Sequence, residues 1–303
     1  EGTERGIMVY GDKSFDVLSV FLGAAYAGLF YSLMSTELPA SRLRQSAEVL
    51  GVGTVIADSE HFDAAREIFE GRRIIASNEL CEREADDKLL AAAAARHIDT
   101  DPLYINFTSG STGTPKGIAV CHRSVVDFIE CFTDIFGITS DDVIANQAPF
   151  DFDVSVKDIY SSLKTGAELS IVPRELFSQP AALLDWLCDH GTTTMIWAVS
   201  ALCLISTFHG LDYKVPEKVN KILFSGEVLP YKHFKTWKTH LPEAVFVNLY
   251  GPTEITCNCT YHILDAERDY SGGIPIGKPF PNEHVFLLDD TDSLIRSDMT
   301  DTV

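Results

Sequence analysis

Between residues 103 and 250 short apolar runs alternate with longer amphipathic stretches, and this alternation restricts the fold more than any other feature of the chain. LYINFT, VIANQ, ELSIV, TTMIW, KILFSG and AVFVNLY read as strands. Between them the spacing predicts helices from His122, from about Val154 to Lys164 with Gly166 as the stop, from Ala181 and from Tyr231. Strand and helix in turn imply an α/β fold. Its mostly parallel sheet is covered by helices on both faces, and its functional loops lie at the carboxyl ends of the strands. In the first hundred residues, 17–50 show helix-like apolar spacing, broken at Gly28, with Pro39 in the first turn of a second helix. Residues 53–58 and 73–76 read as short buried strands. The charged, then alanine-rich stretch 81–96 suits a solvent-facing helix or a connector. A boundary is expected near residue 100, dividing 1–100 from 101–303.

The 303 residues suffice for about two domains or one large core, and 46% hydrophobic with 22% charged residues is a soluble globular composition. Twenty-four Lys and Arg against 44 Asp and Glu leave a net charge of −20. So acidic a surface repels nucleic acid and anionic membrane, and neither is an expected partner. Seven cysteines, odd in number and without a CxxC pair, fit neither a disulfide framework nor a zinc site. Reduced thiols in a cytoplasmic protein are expected. Residues 21–34, the most apolar stretch, are too short to span a membrane and lack the basic flank of a signal peptide, so a buried helix is expected.

The strongest chemical signal is the string YINFTSGSTGTPKG, from Tyr104 to Gly117. Glycines, hydroxyl residues and one lysine in a loop after an apolar strand place N–H groups, hydroxyls and a cation around an anion. It is not a Walker A loop, because Pro115 precedes Lys116 and Gly117 follows it. A flexible linker would fit the composition alone, but not the strand before it or the Pro-Lys-Gly end. The string closely resembles the signature loop of the adenylate-forming superfamily: acyl-CoA synthetases, luciferases and the adenylation domains of nonribosomal peptide synthetases. The resemblance implies two helix-covered, mostly parallel sheets and the start of a small β-barrel subdomain, with the family's small C-terminal domain absent. It makes 1–100 the first sheet subdomain and 101–303 the nucleotide- and amino-acid-binding part. It also implies that Thr108, Ser109, Gly110, Ser111, Thr112, Gly113 and Lys116 hold the β- and γ-phosphates of ATP while a carboxylate attacks the α-phosphorus.

A second segment, Asn248 to Glu254 (NLYGPTE), puts a Gly-Pro turn, an aromatic, a hydroxyl and a carboxylate at a strand end. The resemblance makes Tyr250 the stacking ring for adenine, Asn248 the contact to its exocyclic amine, Thr253 an α-phosphate contact and Glu254 the Mg²⁺ ligand. Gly226 and Glu227, after Ser225, resemble the segment over the other adenine face. A third segment, Phe152-Asp153-Val154-Ser155, matches the Phe-Asp-x-Ser pattern of amino-acid-activating members, whose Asp meets the substrate α-ammonium. A cation carried into a partly dry pocket needs such a counter-charge. Without the other segments, a helix N-cap would explain Asp153 as well.

In the same alignment the side-chain pocket falls on Val154, Lys157, Trp197, Leu223, Ser225, Leu249, Gly251, Cys257 and Asn258. Val154, Leu223, Ser225 and Leu249 are similar to serine-activating pockets, with Asn258 able to bond a hydroxyl, so a small polar amino acid is expected. Lys157 either pairs with an acidic side chain or turns out to solvent. Trp197 either limits the depth or is a core aromatic. His122 and Arg123 fit the family and a surface helix start equally. Cys257 and Cys259 lack partners at metal-ligand spacing and read as alternating strand residues. The resemblance implies transfer of the activated amino acid to the phosphopantetheine thiol of a carrier protein. Alternatives are a stand-alone D-alanine carrier-protein ligase, an acyl-CoA synthetase, and a non-catalytic nucleotide-binding or scaffold fragment.

Overall fold

The computed structural model describes residues 5–109 and 115–295. Gly110, Ser111, Thr112 and Gly113 of the expected phosphate loop lie outside the described residues. The chain divides into two compact units, one formed by Glu1–Val126 with Pro149–Asp153, the other by Asp127–Ala148 with Val154–Val303.

The first unit holds a sheet of β1 (Gly6–Tyr10), β2 (Phe30–Met34), β3 (Thr54–Ala57), β4 (Arg73–Ala76), β5 (Pro102–Ser109) and β6 (Pro115–Cys121), ordered β4-β3-β1-β2-β5-β6. Its helices are α1 (Phe15–Tyr26), α2 (Ala40–Leu50), α3 (Phe62–Ile68), α4 (Ser77–Cys81) and α5 (Asp87–Ala94). β1 to β5 run parallel and β6 returns antiparallel to β5. Met8, Tyr10, Met34, Leu43, Val55 and Phe69 pack in one core cluster of this unit. The apolar stretch 21–34 is not one helix. α1 ends at Tyr26 and β2 begins at Phe30, between β1 and β5. A central parallel strand is buried on both faces, so it continues an apolar run without the alternation that would mark it. β6 was also not expected. Pro115 is tolerated because it opens the strand at the sheet edge, where no ladder bond is lost. The expected boundary near residue 100 moves accordingly, since β5 pairs with β2. α5 buries no residue, as a solvent-facing helix should.

The second unit holds β7 (Val143–Asn146), β8 (Glu168–Ile171), β9 (Thr194–Ala198), β10 (Lys221–Ser225), β11 (Val245–Tyr250), β12 (Thr260–Ile263) and β13 (Lys278–Pro279), ordered β13-β12-β11-β10-β9-β7-β8. Helix α6 (His122–Phe136) begins in the first unit and continues into the second from Asp127, and α7 (Ser155–Thr165), α8 (Pro180–Asp189), α9 (Val199–Thr207), α10 (Gly210–Tyr213) and α11 (Tyr231–His240) complete the series. The five strands from β8 to β11 are parallel, and β12 and β13 are antiparallel. Pro180 opens α8 at a position whose N–H has no helical partner anyway. One face of the sheet, with Met195, Trp197, Ile222, Phe224 and Phe246, packs on α8, α9 and α11 through Leu183, Leu202, Phe234 and Trp237. No helix among the described residues is long and apolar enough to cross a membrane.

The amino ends of β7, β9 and β10 are tied by one carboxylate. Asp142, 4% exposed, accepts from Thr193 Oγ1 at 2.7 Å, from Thr194 Oγ1 and Lys221 Nζ at 2.8 Å each, and from the Thr139 N–H at 2.9 Å. Burial opposes its ionisation, but the bonds from Lys221, Thr139, Thr193 and Thr194 outweigh burial and hold the carboxyl below the usual aspartate range. Its contribution is therefore present above the unfolded-state pKa and lost as pH falls through the folded one. Asp142→Ala leaves the amine of Lys221 without this carboxylate and should lower unfolding free energy by about 3 kcal/mol, read by urea titration at pH 7, with a smaller deficit at acid pH.

In the first unit the His97 and His122 rings meet edge-on, with centroids 4.4 Å apart. Burial, then the neighbouring His97, pushes the His122 pKa down, against a smaller opposing pull from Asp101. The unfolded chain thus takes up a proton that the folded one refuses, and stability should decline as pH falls below about 6.5. Replacing His122 with Phe should flatten that decline in a pH series of thermal melts.

Candidate active site

Three groups of side chains are assembled at strand ends. In the first unit, Thr108 of β5 lies directly opposite Lys116 of β6. Cross-strand partners share a face, so a hydroxyl and an exposed ammonium stand side by side near the end of β5 and the start of β6. That pair gives a phosphate group one donor and one positive charge. Ser109 ends β5. Asp153 closes the unit's last segment and is half-buried. The N-cap of α7 is Val154, so the capping position is not the one Asp153 holds.

The second group lies in the second unit, where β10 and β11 are parallel with Phe224 opposite Asn248. Ser225 and Gly226 therefore leave β10 beside the level at which Leu249 and Tyr250 leave β11. Gly226 has φ 95°, and nothing stands within 4 Å of where a Cβ would be. Its missing side chain leaves room for a flat ligand. Glu227 follows, exposed. Tyr250 is 50% exposed at the end of β11. The Asn248 amide donates through Nδ2 to the Pro275 carbonyl at 2.9 Å. Because a carbonyl only accepts, the NH₂ faces Pro275 and Oδ1 is turned away from it, as an acceptor for an amine.

After Tyr250 the chain turns at Gly251 and Pro252 into a single 3-10 turn, Thr253–Ile255, carrying half-buried Thr253 and exposed Glu254. A Cβ on Gly251 would lie 2.5 Å from Asn258 Cα and 2.7 Å from the Cys259 nitrogen. The loop thus closes directly onto this glycine. Thr256 and Cys257 both have left-handed backbone, φ 68° and 71°, so Cys257 and Cys259 are not alternating strand residues as expected. Cys257 lies in the loop and Cys259 just before β12. Among the described residues no three His, Cys, Asp or Glu side chains are grouped to hold a metal. A lone carboxylate such as Glu254 suits Mg²⁺, which takes one or two protein oxygens and completes its shell with phosphate and water.

The third group comprises the residues expected to line a side-chain pocket. Leu223 and Ser225 alternate with Ile222 and Phe224, and Leu249 lies two residues beyond Val247, so all three project from the sheet face opposite the large core cluster. Lys157, in the first turn of α7, is 0% exposed. It donates from Nζ to Asn258 Oδ1 at 2.7 Å and Ser225 Oγ at 3.4 Å. Of its two expected placements it takes the inward one. Val154 is half-buried at the start of the same helix, and Cys257 is buried next to Asn258. Trp197 departs from the pocket expectation. It lies opposite Phe224 on the core face, fully buried, donates from Nε1 to the Ala145 carbonyl at 2.8 Å and packs edge-on against Phe177. The indole N–H needs an acceptor when buried, and the neighbouring strand supplies one. Asp158 and Asn146, not anticipated, form a buried bond of 2.6 Å from Asn146 Nδ2 to Asp158 Oδ2 that ties α7 to β7. They are twelve residues apart, and no local pattern links them. Arg123 forms two 2.8 Å bonds to Asp99 at the surface.

Residues 2–298 match the family model described as AMP-binding enzyme. The chain is 31% identical over 289 residues to a D-alanine–D-alanyl carrier protein ligase of Lacticaseibacillus casei (strain BL23), covering 94% of this chain and 56% of that protein. It is 32% identical over 277 residues to the ligase of the same name in Bacillus cytotoxicus, covering 89% and 53%. The chain thus spans about half the length of the curated relatives it matches. Among solved structures, the nonribosomal peptide synthetase FmoA3 with bound α-methyl-L-serine-AMP superposes with TM-score 0.83 at 23% identity, covering 95% of this chain and 32% of that one. IdnL7 superposes with TM-score 0.80 at 25% identity, covering 95% and 60%.

Gly251→Ala should displace the Asn258 backbone, because the added methyl meets main chain and not the yielding tip of a side chain. Amide exchange across 251–259 is expected to rise about tenfold or more while that of β9 is unchanged, since local opening is independent of the core.

Proposed function

The chain belongs to the AMP-binding enzyme family, and on that footing we propose that it forms the nucleotide- and amino-acid-binding part of a ligase that activates an amino acid as its adenylate and loads a carrier protein. The observation that carries this reading is the strand-end arrangement of Gly226, Asn248 and Tyr250: an aromatic face, a gap where a side chain would be, and an oriented amide. Those are the elements that a purine's face and amine edge require.

A free carboxylate does not acylate a thiol at neutral pH. In the proposed reaction its oxygen bonds to the α-phosphorus of ATP, the bond to the β-phosphate breaks and pyrophosphate departs. A carrier-protein phosphopantetheine thiol then attacks the acyl carbon, and AMP leaves. Thr108 and Lys116 are assigned to the phosphate chain of the substrate ATP, with Ser109 and residues 110–113 beside them in sequence. Thr253 is assigned to the α-phosphate and Asp153 to the substrate ammonium. Glu254 would hold Mg²⁺, which supplies neutralisation of phosphate charge when bound. In a chain of net charge −20 the local positive groups must be placed deliberately. Lys116 in register with Thr108 is such a placement.

D-alanine loading is a second reading, favoured by the relatives at 31 and 32% identity. Pyrophosphate exchange with ATP, Mg²⁺ and paired D- and L-amino acids separates the two. Amino-acid-dependent exchange, or binding by calorimetry, is expected. Loss of Asp153's carboxylate as Asp153→Ala should weaken amino-acid dependence by about 100-fold, the size of an unpaired charge in a partly dry site. Lys116→Ala should depress exchange with every amino acid alike. Indifference to Asp153→Ala, with acids lacking an amine accepted equally, would refute the amino-acid reading in favour of acyl activation.

A further inference from the structure

We propose that the Pro275 main-chain carbonyl is a positioning group for nucleotide recognition: it fixes which atom of the Asn248 amide faces the base, and a segment clamped by Thr260 and Gly277 holds it there. The inference rests on the assignment of Asn248 to the adenine amine and deepens it, from the residue that meets the base to the groups that orient that residue.

An unrestrained asparagine cannot tell a 6-amino from a 6-oxo purine. Its amide carries an acceptor and a donor of nearly the same size, and half a turn about the terminal bond exchanges them. Here that turn is opposed. Asn248 is 7% exposed and gives Nδ2 to the Pro275 carbonyl at 2.9 Å. Turning the amide over would break this bond and set Oδ1 against an oxygen that can only accept. On the assignment above, the edge of the base therefore meets Oδ1. The exocyclic amine of adenine donates to it. A 6-oxo group brings acceptor against acceptor, and the amide cannot offer its donor without giving up Pro275.

A carbonyl can hold an amide only if its own segment is held. β12 is antiparallel to β11, with His262 opposite Asn248 and Thr260 opposite Tyr250, and the segment carrying Pro275 is fastened to this strand on both sides of the proline. Before it, Tyr270 is 2% exposed; its hydroxyl accepts the Asp265 N–H at 2.9 Å and stands 3.1 Å from His262 Nε2. Ile274 is buried in the large core cluster. After it, Thr260 Oγ1 donates to the Ile276 carbonyl at 2.7 Å from a position that is 1% exposed. Gly277, with φ 89°, then passes so close to β12 that a Cβ would run into the Tyr261 carbonyl. Pro275 has no N–H to satisfy, so its carbonyl is the main-chain hydrogen-bonding group it contributes. An acceptor fixed before the ligand arrives needs little reordering on binding.

The test compares ATP, inosine triphosphate and the triphosphate of unsubstituted purine riboside by calorimetry on the 303-residue chain, with and without two substitutions that leave Asn248 and Tyr250 in place. In the unaltered chain ATP should bind about 100-fold more tightly than inosine triphosphate, the scale of setting one polar group against its like in a mostly dry site. Thr260→Val keeps the shape of the side chain and removes the donor to Ile276. Gly277→Ala pushes the segment away from Tyr261. Each should cut the ratio of ATP to inosine triphosphate about tenfold by releasing Pro275, and leave the unsubstituted purine, which asks nothing of Asn248, unchanged. A merely structural role would lower all three nucleotides alike; an unchanged ratio overturns the inference. Equal binding of ATP and inosine triphosphate by the unaltered chain does the same and leaves the nucleotide reading intact, whereas no binding of any nucleotide removes that reading and the inference with it. If neither variant folds, the Asn248 amide of the unaltered chain decides the question by proton exchange. The proton directed at Pro275 should exchange about tenfold more slowly than its geminal partner, and equal rates would refute the proposal.

Discussion

The register of β10 against β11 is the constraint on which the candidate site depends. Because Phe224 sits opposite Asn248, the residues leaving both strands arrive at one level. Strand alternation then sorts them: Asn248 and Tyr250 go to one face, Leu223, Ser225 and Leu249 to the other. A slip of one residue would exchange these sets and put a leucine where the aromatic face now stands. The large apolar residues of both strands, Ile222, Phe224 and Phe246, prevent that slip because they are buried in the core that holds the sheet.

The two ends of that sheet are built on opposite principles. At the amino ends, Asp142 gathers two threonine hydroxyls, a lysine and a backbone N–H into one satisfied cluster. A buried charge with every partner present fixes the relative heights of three strands. At the carboxyl ends the backbone leaves regular geometry, with left-handed Thr256 and Cys257 and an exposed tyrosine. Strain and exposure of this kind belong at a site, where groups must face a ligand and not one another. The well-bonded end lets the other be irregular without loss of register.

Lys157 expresses the same division within one helix. Its stem packs like an apolar residue, while its charge is costly to desolvate and is met by the Asn258 and Ser225 oxygens.

Much of this was determined by the sequence alone. Alternating strands and helices after residue 100 were legible, because the pattern is local and carried by residue type; the glycine-rich string, the Asn248 to Glu254 segment and Asp153 stood out by residue type alone. β2 was not, since a strand buried on both faces has no alternation to separate it from the helix before it. β6 was hidden by Pro115 and Gly117, which discourage a strand until the edge position is known. Only tertiary structure decided which way long or amphipathic side chains point. Trp197 went to the core because Ala145 supplies its acceptor, and Lys157 went inward because Asn258 and Ser225, 101 and 68 residues away, supply oxygens. Such partners meet through the fold and leave no trace in the spacing of the chain.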